Sequence, residues 1–141
     1  MRIGLYSALA RSHISKLRRQ LDVTNRSYSL DEMKQIRSFI AASDHVDCRR
    51  LTQLGDFYSL SNFRDLLFHV QEHTFTIEGL RTCLSKLGLK FCGFEDKRII
   101  SKFKQQHPGC DPADLESWDA FERTHPDTFI GMYQFWCEKV H

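Results

Sequence analysis

The alternation of hydrophobic and other residues predicts three β-strands in this 141-residue chain. Met1, Ile3 and Leu5 alternate with other residues over positions 1–7, which is typical of a strand with one buried face. The segments 89–94 and 132–139 predict two more strands. Within the first of these, Gly93 predicts a β-bulge or a close approach of the backbone. We expect the strands to share one sheet.

Hydrophobic residues spaced three and four apart predict helices between the strands. Ser29 and Glu32 form the spacing of a capping box, so we expect a helix to open there. We expect Thr76 to cap another helix, Gly88 to end it, and Asp111 with Pro112 to start the last one. The other helical segments are 11–21, 47–54 and 97–106. The helix that opens at 29 holds residues 33–40, the one from 76 ends at 88, and the last one holds residues 115–121. A further helix holds residues 66–70, and Ser59 or Ser61 is its cap. The stripe predicted to be buried in the second helix is Met33, Ile36, Phe39 and Ile40.

Composition narrows the class of protein. Hydrophobic residues make up 41% of the chain and aromatic residues 12%, which is typical of a globular domain and argues against disorder. Ten of the twenty Lys and Arg residues lie in positions 1–50, but their helical spacing favours a solvated helix face over a nucleic-acid surface. The five scattered cysteines form no C-x-x-C pair, and no apolar run approaches membrane-spanning length. We therefore expect a reduced, cytoplasmic protein that does not enter a membrane.

The segment His69-Val70-Gln71-Glu72-His73 spells H-x-x-E-H, the signature of inverted zinc peptidases. On a helix, residues four apart share one face, so His69 and His73 could bind one zinc ion while Glu72 acts as a base. No carboxylate elsewhere is marked as a third ligand. Polar side chains that cap a helix end explain the same letters, so we predict no metal site.

Three segments together resemble the C-terminal part of bacterial class I methyltransferases that use S-adenosylmethionine, a group often joined to tetratricopeptide repeats. They are 64–73 (RDLLFHVQEH), 87–95 (LGLKFCGFE) and 126–136 (PDTFIGMYQFW). The opening residues 1–7 resemble the strand after the Leu-Lys-Pro-Gly-Gly turn of that group. The similarity implies that 1–7, 89–94 and 132–139 are the fifth, sixth and seventh strands, with inserted helices between the fifth and sixth.

The same resemblance implies an α/β fold, with a partial Rossmann-like methyltransferase sheet and a mainly helical insertion. The glycine-rich loop and the acidic residue that hold the methyl donor in that group are missing from residues 1–141. We therefore expect a single C-terminal region that lacks the donor-binding half and leaves an edge of its first strand unpaired.

The functional expectation follows from this resemblance. The complete enzyme would use S-adenosylmethionine, this chain alone would bind no cofactor, and its partner would be a donor-binding half or a repeat region. Ser7 and the stretch 57–73 would lie near the acceptor side of the cleft, with Tyr58, His69, Glu72 and His73 as candidate catalytic residues. The alternatives are a non-enzymatic interaction module derived from a methyltransferase and, ranking below both, a zinc hydrolase.

Overall fold

The computed structural model describes residues 1–69 and 71–140 and contains within them four strands, seven α-helices and a short 3-10 helix at Gly55–Phe57. The α/β class and the three predicted strands are confirmed. In chain order the elements are β1 (Arg2–Ser7), α1 (Ser12–Gln20), α2 (Leu30–Ala42), α3 (Val46–Thr52), α4 (Leu60–Phe68), β2 (Thr74–Phe75), α5 (Ile77–Lys86), β3 (Leu89–Phe94), α6 (Lys97–Gln106), α7 (Leu115–Thr124) and β4 (Met132–Lys139).

The chain divides into two compact units. The sheet unit comprises residues 1–11 and the chain from residue 73 onward, and it holds all four strands with α5, α6 and α7. The helical unit is Ser12–Glu72 and holds α1 to α4.

The sheet unit has the strand order β2-β1-β4-β3. Strand β4 runs antiparallel to both β1 and β3, so β1 and β3 are parallel to each other. The two-residue β2 pairs in parallel with the end of β1 at Tyr6 and Ser7. Over Arg2–Leu5 that side of β1 carries no strand among the residues that the structure describes.

One face of the sheet packs against α5, α6 and α7 through aromatic side chains. The ring of Phe103 stacks on Trp118 with centroids 4.0 Å apart, and Phe94 and Phe121 meet the same indole edge-on. Such rings bury much apolar area in favourable offset and edge contacts. Trp136 points to the other face and remains 49% exposed.

The helical unit has its own core. Its largest fully buried side chain is Phe63 of α4, which packs edge-on against Phe57 and Phe68. The capping box at Ser29 and Glu32 is present and starts α2 as predicted. Ser59, one of two candidate caps, accepts from the Asn62 N–H and starts α4. Val70, which we predicted as part of this helix, lies outside the described residues.

Other local predictions are confirmed at glycines and caps. Thr76 caps α5, and Gly88 follows it in the left-handed conformation with φ of 63°. The register between β3 and β4 shifts between Phe91 and Gly93, which is the predicted bulge.

Two predictions about burial and boundaries are wrong. Phe39 is 73% exposed, and Ile40 is the one residue of the predicted stripe that is fully buried. The face of α2 that packs against the core is therefore narrower than the row of hydrophobic residues along the helix. Helix α7 starts three residues later than predicted. Asp111 instead closes a turn by accepting from the Ala113 N–H, while Asp114 caps the helix through the Glu116 and Ser117 N–H groups.

Candidate functional site

A buried carboxyl group, that of Glu122, is the centre of a polar cluster in the sheet unit. The Ser7 hydroxyl donates to Glu122 Oε1 at 2.6 Å, and the Tyr133 hydroxyl lies 2.7 Å from Oε2 and 2.9 Å from Oε1. All three side chains are buried within the sheet unit. Both carboxyl oxygens therefore have hydrogen-bond partners inside the core.

The fold brings these residues together from three elements. Ser7 is the last residue of β1, and its N–H donates to the Gly131 carbonyl just before β4. Tyr133 lies opposite Leu5 in the β1–β4 ladder. Leu5 and Ser7 are two positions apart on β1, so the side chains of Tyr133 and Ser7 point to the same face of the sheet. Glu122 follows Trp118 by four positions, which places it on the buried stripe of α7.

Burial determines how this cluster titrates. It raises the pKa of the Glu122 carboxyl above its ordinary value, although the hydrogen bonds from Ser7 and Tyr133 act in the opposite direction. Burial likewise raises the pKa of the Tyr133 phenol, and the neighbouring Glu122 charge adds to that shift. The fold therefore favours the protonated forms of both groups.

The cluster fixes the carboxyl end of β1. Ser7 Oγ accepts from the Ala10 N–H at 3.1 Å, and the Ser7 carbonyl accepts from the Arg11 N–H, so the chain turns sharply after the strand. Because Glu122 is 3% exposed, its carboxyl cannot touch a solvent-borne ligand in this conformation. The Glu122 carboxyl therefore fixes the position of the turn after β1 and does not contact a ligand directly.

The predicted histidine motif does not form one helical face. Helix α4 ends at Phe68, and His69 is its exposed C-terminal cap. The helical spacing that a zinc peptidase motif requires is therefore absent. His73 belongs to the sheet unit, where it is exposed directly before β2.

Glu72 forms an ion pair with Arg18, with 3.0 Å between Oε2 and Nη2 and with the Glu72 side chain 6% exposed. Arg18 also donates to the carbonyls of Leu66 and Leu67 at the end of α4. Glu72 thus neutralises the cation that satisfies the last carbonyls of this helix, which is a structural role.

Tyr58 lies on the surface of the helical unit and is 71% exposed. Its hydroxyl donates to the Thr52 carbonyl at 3.0 Å. The structure therefore places Tyr58, His69 and Glu72 in one unit and His73 in the other. Within residues 1–69 and 71–140, no group of three or more His, Cys, Asp and Glu side chains has the arrangement of a metal site.

Sequence reasoning missed Glu122, Tyr133 and Arg18. For Glu122 a signal was present, because a charged residue seven positions after Leu115 and four after Trp118 lies on an apolar stripe. Tyr133 was not singled out, and Arg18 is one of the basic residues in positions 1–50 that we expected on a solvated helix face.

Comparisons with known proteins give no identification. No family model matches the chain, and no curated protein matches it. None of the helices in the described residues is long and apolar enough to cross a membrane.

Proposed function

We propose that this chain forms the C-terminal, acceptor-side portion of an S-adenosylmethionine-dependent methyltransferase and transfers no methyl group by itself. The observation that carries the proposal is the strand arrangement. Strand β4 lies antiparallel between β1 and β3, although it comes last in the chain. Strands β1, β3 and β4 are the segments that the resemblance implies are the fifth, sixth and seventh strands of a class I methyltransferase, and here they are neighbours in one sheet.

The uncovered edge of β1 supports the same proposal. Strand β2 pairs with two residues of β1, and Arg2–Leu5 have no strand on that side within the described part of the chain. Unpaired N–H and C=O groups of an apolar strand favour the addition of another strand. In the proposed enzyme, a strand of the donor-binding half lies along this edge.

The position of the helical unit in the chain supports an acceptor-side role. Helix α1 begins five residues after Ser7, the carboxyl end of β1. In open α/β sheets, ligands bind beyond the carboxyl ends of the parallel strands, and the segments that follow those ends shape the cleft. The helical unit is the segment that follows here. S-adenosylmethionine, held by the other half, would supply the methyl group on its sulfonium sulfur.

Reconstitution tests the proposal. The chain is coexpressed with the donor-binding half of a repeat-linked bacterial methyltransferase whose own C-terminal part has been deleted. We expect a 1:1 complex by size-exclusion chromatography with light scattering, and binding of S-adenosylmethionine at micromolar concentration by calorimetry. The chain alone should bind the donor no tighter than about 1 mM, because it has no glycine-rich loop after a strand.

Two results would contradict the proposal. Micromolar binding of S-adenosylmethionine by the isolated chain would place a donor site in these residues. A well-dispersed monomer that forms no complex with any donor-binding half would support the non-enzymatic interaction module instead.

A further inference from the structure

A cavity of about 450 Å³ lies within the helical unit, between the chain that connects α1 to α2 and the end of α4. Its apolar walls include Val23, Met33 and Phe68. The volume lies in the range of small-molecule sites, which combine apolar walls with a few well-placed polar groups.

One cation at this cavity is held in place before any ligand arrives. The guanidinium of Arg26 lies 4.5 Å from the centre of the Tyr28 ring, and it pairs with the carboxylate of Glu32. The Tyr28 ring lies 5.0 Å from that of Phe68, and its hydroxyl donates to the Leu21 carbonyl. Arg26 therefore forms one layer of a stack of planar groups.

Other polar groups at the cavity are uncommitted. Arg64 contacts Asp65 through Nε at 3.5 Å, and neither of its terminal nitrogens has a further partner among the described residues. Ser27, His69 and Gln71 also line the cavity, and their side chains make no hydrogen bond within that part of the chain. Four polar side chains are thus available to a ligand.

We propose that this cavity binds a small molecule that joins a planar aromatic body to one phosphate or carboxylate group. Glu32 neutralises Arg26, whereas Arg64 contacts Asp65 through Nε alone and keeps its two terminal nitrogens available to an anion. The guanidinium of Arg64 has the fork geometry that pairs with two oxygens of a phosphate or carboxylate. The aromatic body lies against the apolar walls and the Arg26–Tyr28 stack.

The ligand is the methyl acceptor of the complete enzyme, and that step alone rests on the proposed function. If the ligand is the methyl acceptor, then His69, the candidate catalytic residue that lines the cavity, lies beside the substrate. Binding itself needs no donor half, so it can be measured on the chain as it exists.

The binding experiment adds each of four probes to the intact chain. Calorimetry and the chemical shifts of the backbone amide groups measure binding. Adenosine monophosphate and indole-3-acetate carry the two kinds of anion on an aromatic body. Adenosine lacks the anion, and inorganic phosphate lacks the body. We expect adenosine monophosphate, indole-3-acetate or both to bind at least about tenfold more tightly than adenosine and inorganic phosphate.

Variants assign the binding to the cavity. Arg64→Gln should weaken binding by about tenfold to a hundredfold, because a charge-assisted bidentate contact is lost. Arg64→Lys keeps the charge without the fork and should recover only part of the affinity. Arg49→Gln is the matched control, since Arg49 lies in the same unit and pairs with Asp44 at the surface away from the cavity lining. Circular dichroism verifies that all three variants are folded.

The outcomes separate this proposal from the proposed function. Equal binding to wild type and Arg64→Gln, or no binding of either anionic aromatic probe, overturns the cavity assignment, even if reconstitution succeeds. Binding that depends on Arg64 in a chain that never complements a donor half supports the cavity and refutes the methyltransferase role. A preference for the phosphate probe over the carboxylate probe, or the reverse, identifies the anion.

Discussion

Two groups of polar side chains, one in each unit, differ in how completely their hydrogen bonds are satisfied within the chain. In the sheet unit, Ser7, Glu122 and Tyr133 turn inward and satisfy one another in the core. In the helical unit, Arg64 and His69 turn toward an open cavity and keep donors or acceptors available.

This difference separates structural polar groups from candidate binding groups. A buried group whose hydrogen bonds are complete stabilises the fold, and removing one partner costs stability. A group at a cavity with incomplete hydrogen bonds contributes little to folding and can bind a ligand. The predictions below test this distinction, from the largest expected effect to the smallest.

The aromatic core of the sheet unit should give the largest effect. Trp118→Ala should lower the free energy of unfolding by about 3–5 kcal/mol, because it removes a fully buried ring that stacks on Phe103. Trp136→Ala is the control and should cost less than about 1 kcal/mol, since this indole is half exposed on the other face. Urea unfolding followed by circular dichroism measures both, and similar losses would contradict the assigned faces of β4.

Two neighbouring residues of α2, one buried and one exposed, allow the same comparison of stability losses in the helical unit. Ile40→Ala should cost about 2–4 kcal/mol, because Ile40 is buried in the core with Ile14 and Leu51. Phe39→Ala should change stability by no more than about 0.5 kcal/mol, since the ring is exposed. A larger loss for Phe39 than for Ile40 in urea unfolding would show that α2 packs through a different stripe.

Glu72 distinguishes a structural carboxylate from a catalytic one. Glu72→Gln should lower stability by about 1–3 kcal/mol, because it leaves Arg18 without its charged partner in a part-buried site. The exposed pair of Glu78 and Arg81 serves as the control, and Glu78→Gln should cost about 0.5 kcal/mol or less. Unchanged thermal stability in Glu72→Gln would favour a role in binding or catalysis instead.

Glu122 should make stability depend on pH. Its folded pKa is raised above the ordinary 4.5, so the folded state holds the proton over a pH range in which the unfolded chain has lost it. This contribution is complete below about pH 4.5 and is lost as the pH rises through the folded pKa. The free energy of unfolding should fall by at most about 1.4 kcal/mol per pH unit from this group.

Glu122→Gln should remove that dependence while keeping the size of the side chain. Glu116→Gln on the same helix is exposed and should leave it unchanged. Urea unfolding at a series of pH values measures the slope, and a wild-type slope that survives in Glu122→Gln would assign the titration to another group.

The elements of the fold were predictable wherever local chemistry decides them. Ser29 with Glu32 and Thr76 each satisfy free N–H groups at a helix start, and such caps need no distant partner. Gly88 and Gly93 adopt backbone conformations that other residues rarely reach. These residues determine structure within a few positions, so the sequence alone indicates them.

The failures arise where tertiary contacts decide. Two residues, Thr74 and Phe75, are too short a segment to show alternation, and they pair as β2 only because β1 presents an edge. The exposure of Phe39 depends on how the other helices meet α2. Asp111 and Asp114 both have the chemistry of a cap, and the later one starts the helix while Trp118 Nε1 donates to the Pro112 carbonyl.

The candidate site was less predictable than the fold. The histidine motif required α4 to continue past Phe68, which the sequence pattern does not decide. The partners of Glu122 lie 115 and 11 positions away, at Ser7 and Tyr133, so only the folded chain brings them together. The cavity around Arg64 likewise depends on a connection between two helices.

The two outer strands of the sheet differ in a way that limits the assemblies that strand pairing can form. On one side, β3 carries a bulge at Gly93 and the charged Lys90, features that discourage another strand from pairing there. On the other, β2 covers Tyr6 and Ser7 of β1, and Arg2–Leu5 carry no strand among the described residues. A molecule with one receptive side can join a single neighbour, because growth into a filament requires two complementary surfaces. Self-association through β1 would therefore close at a pair of chains.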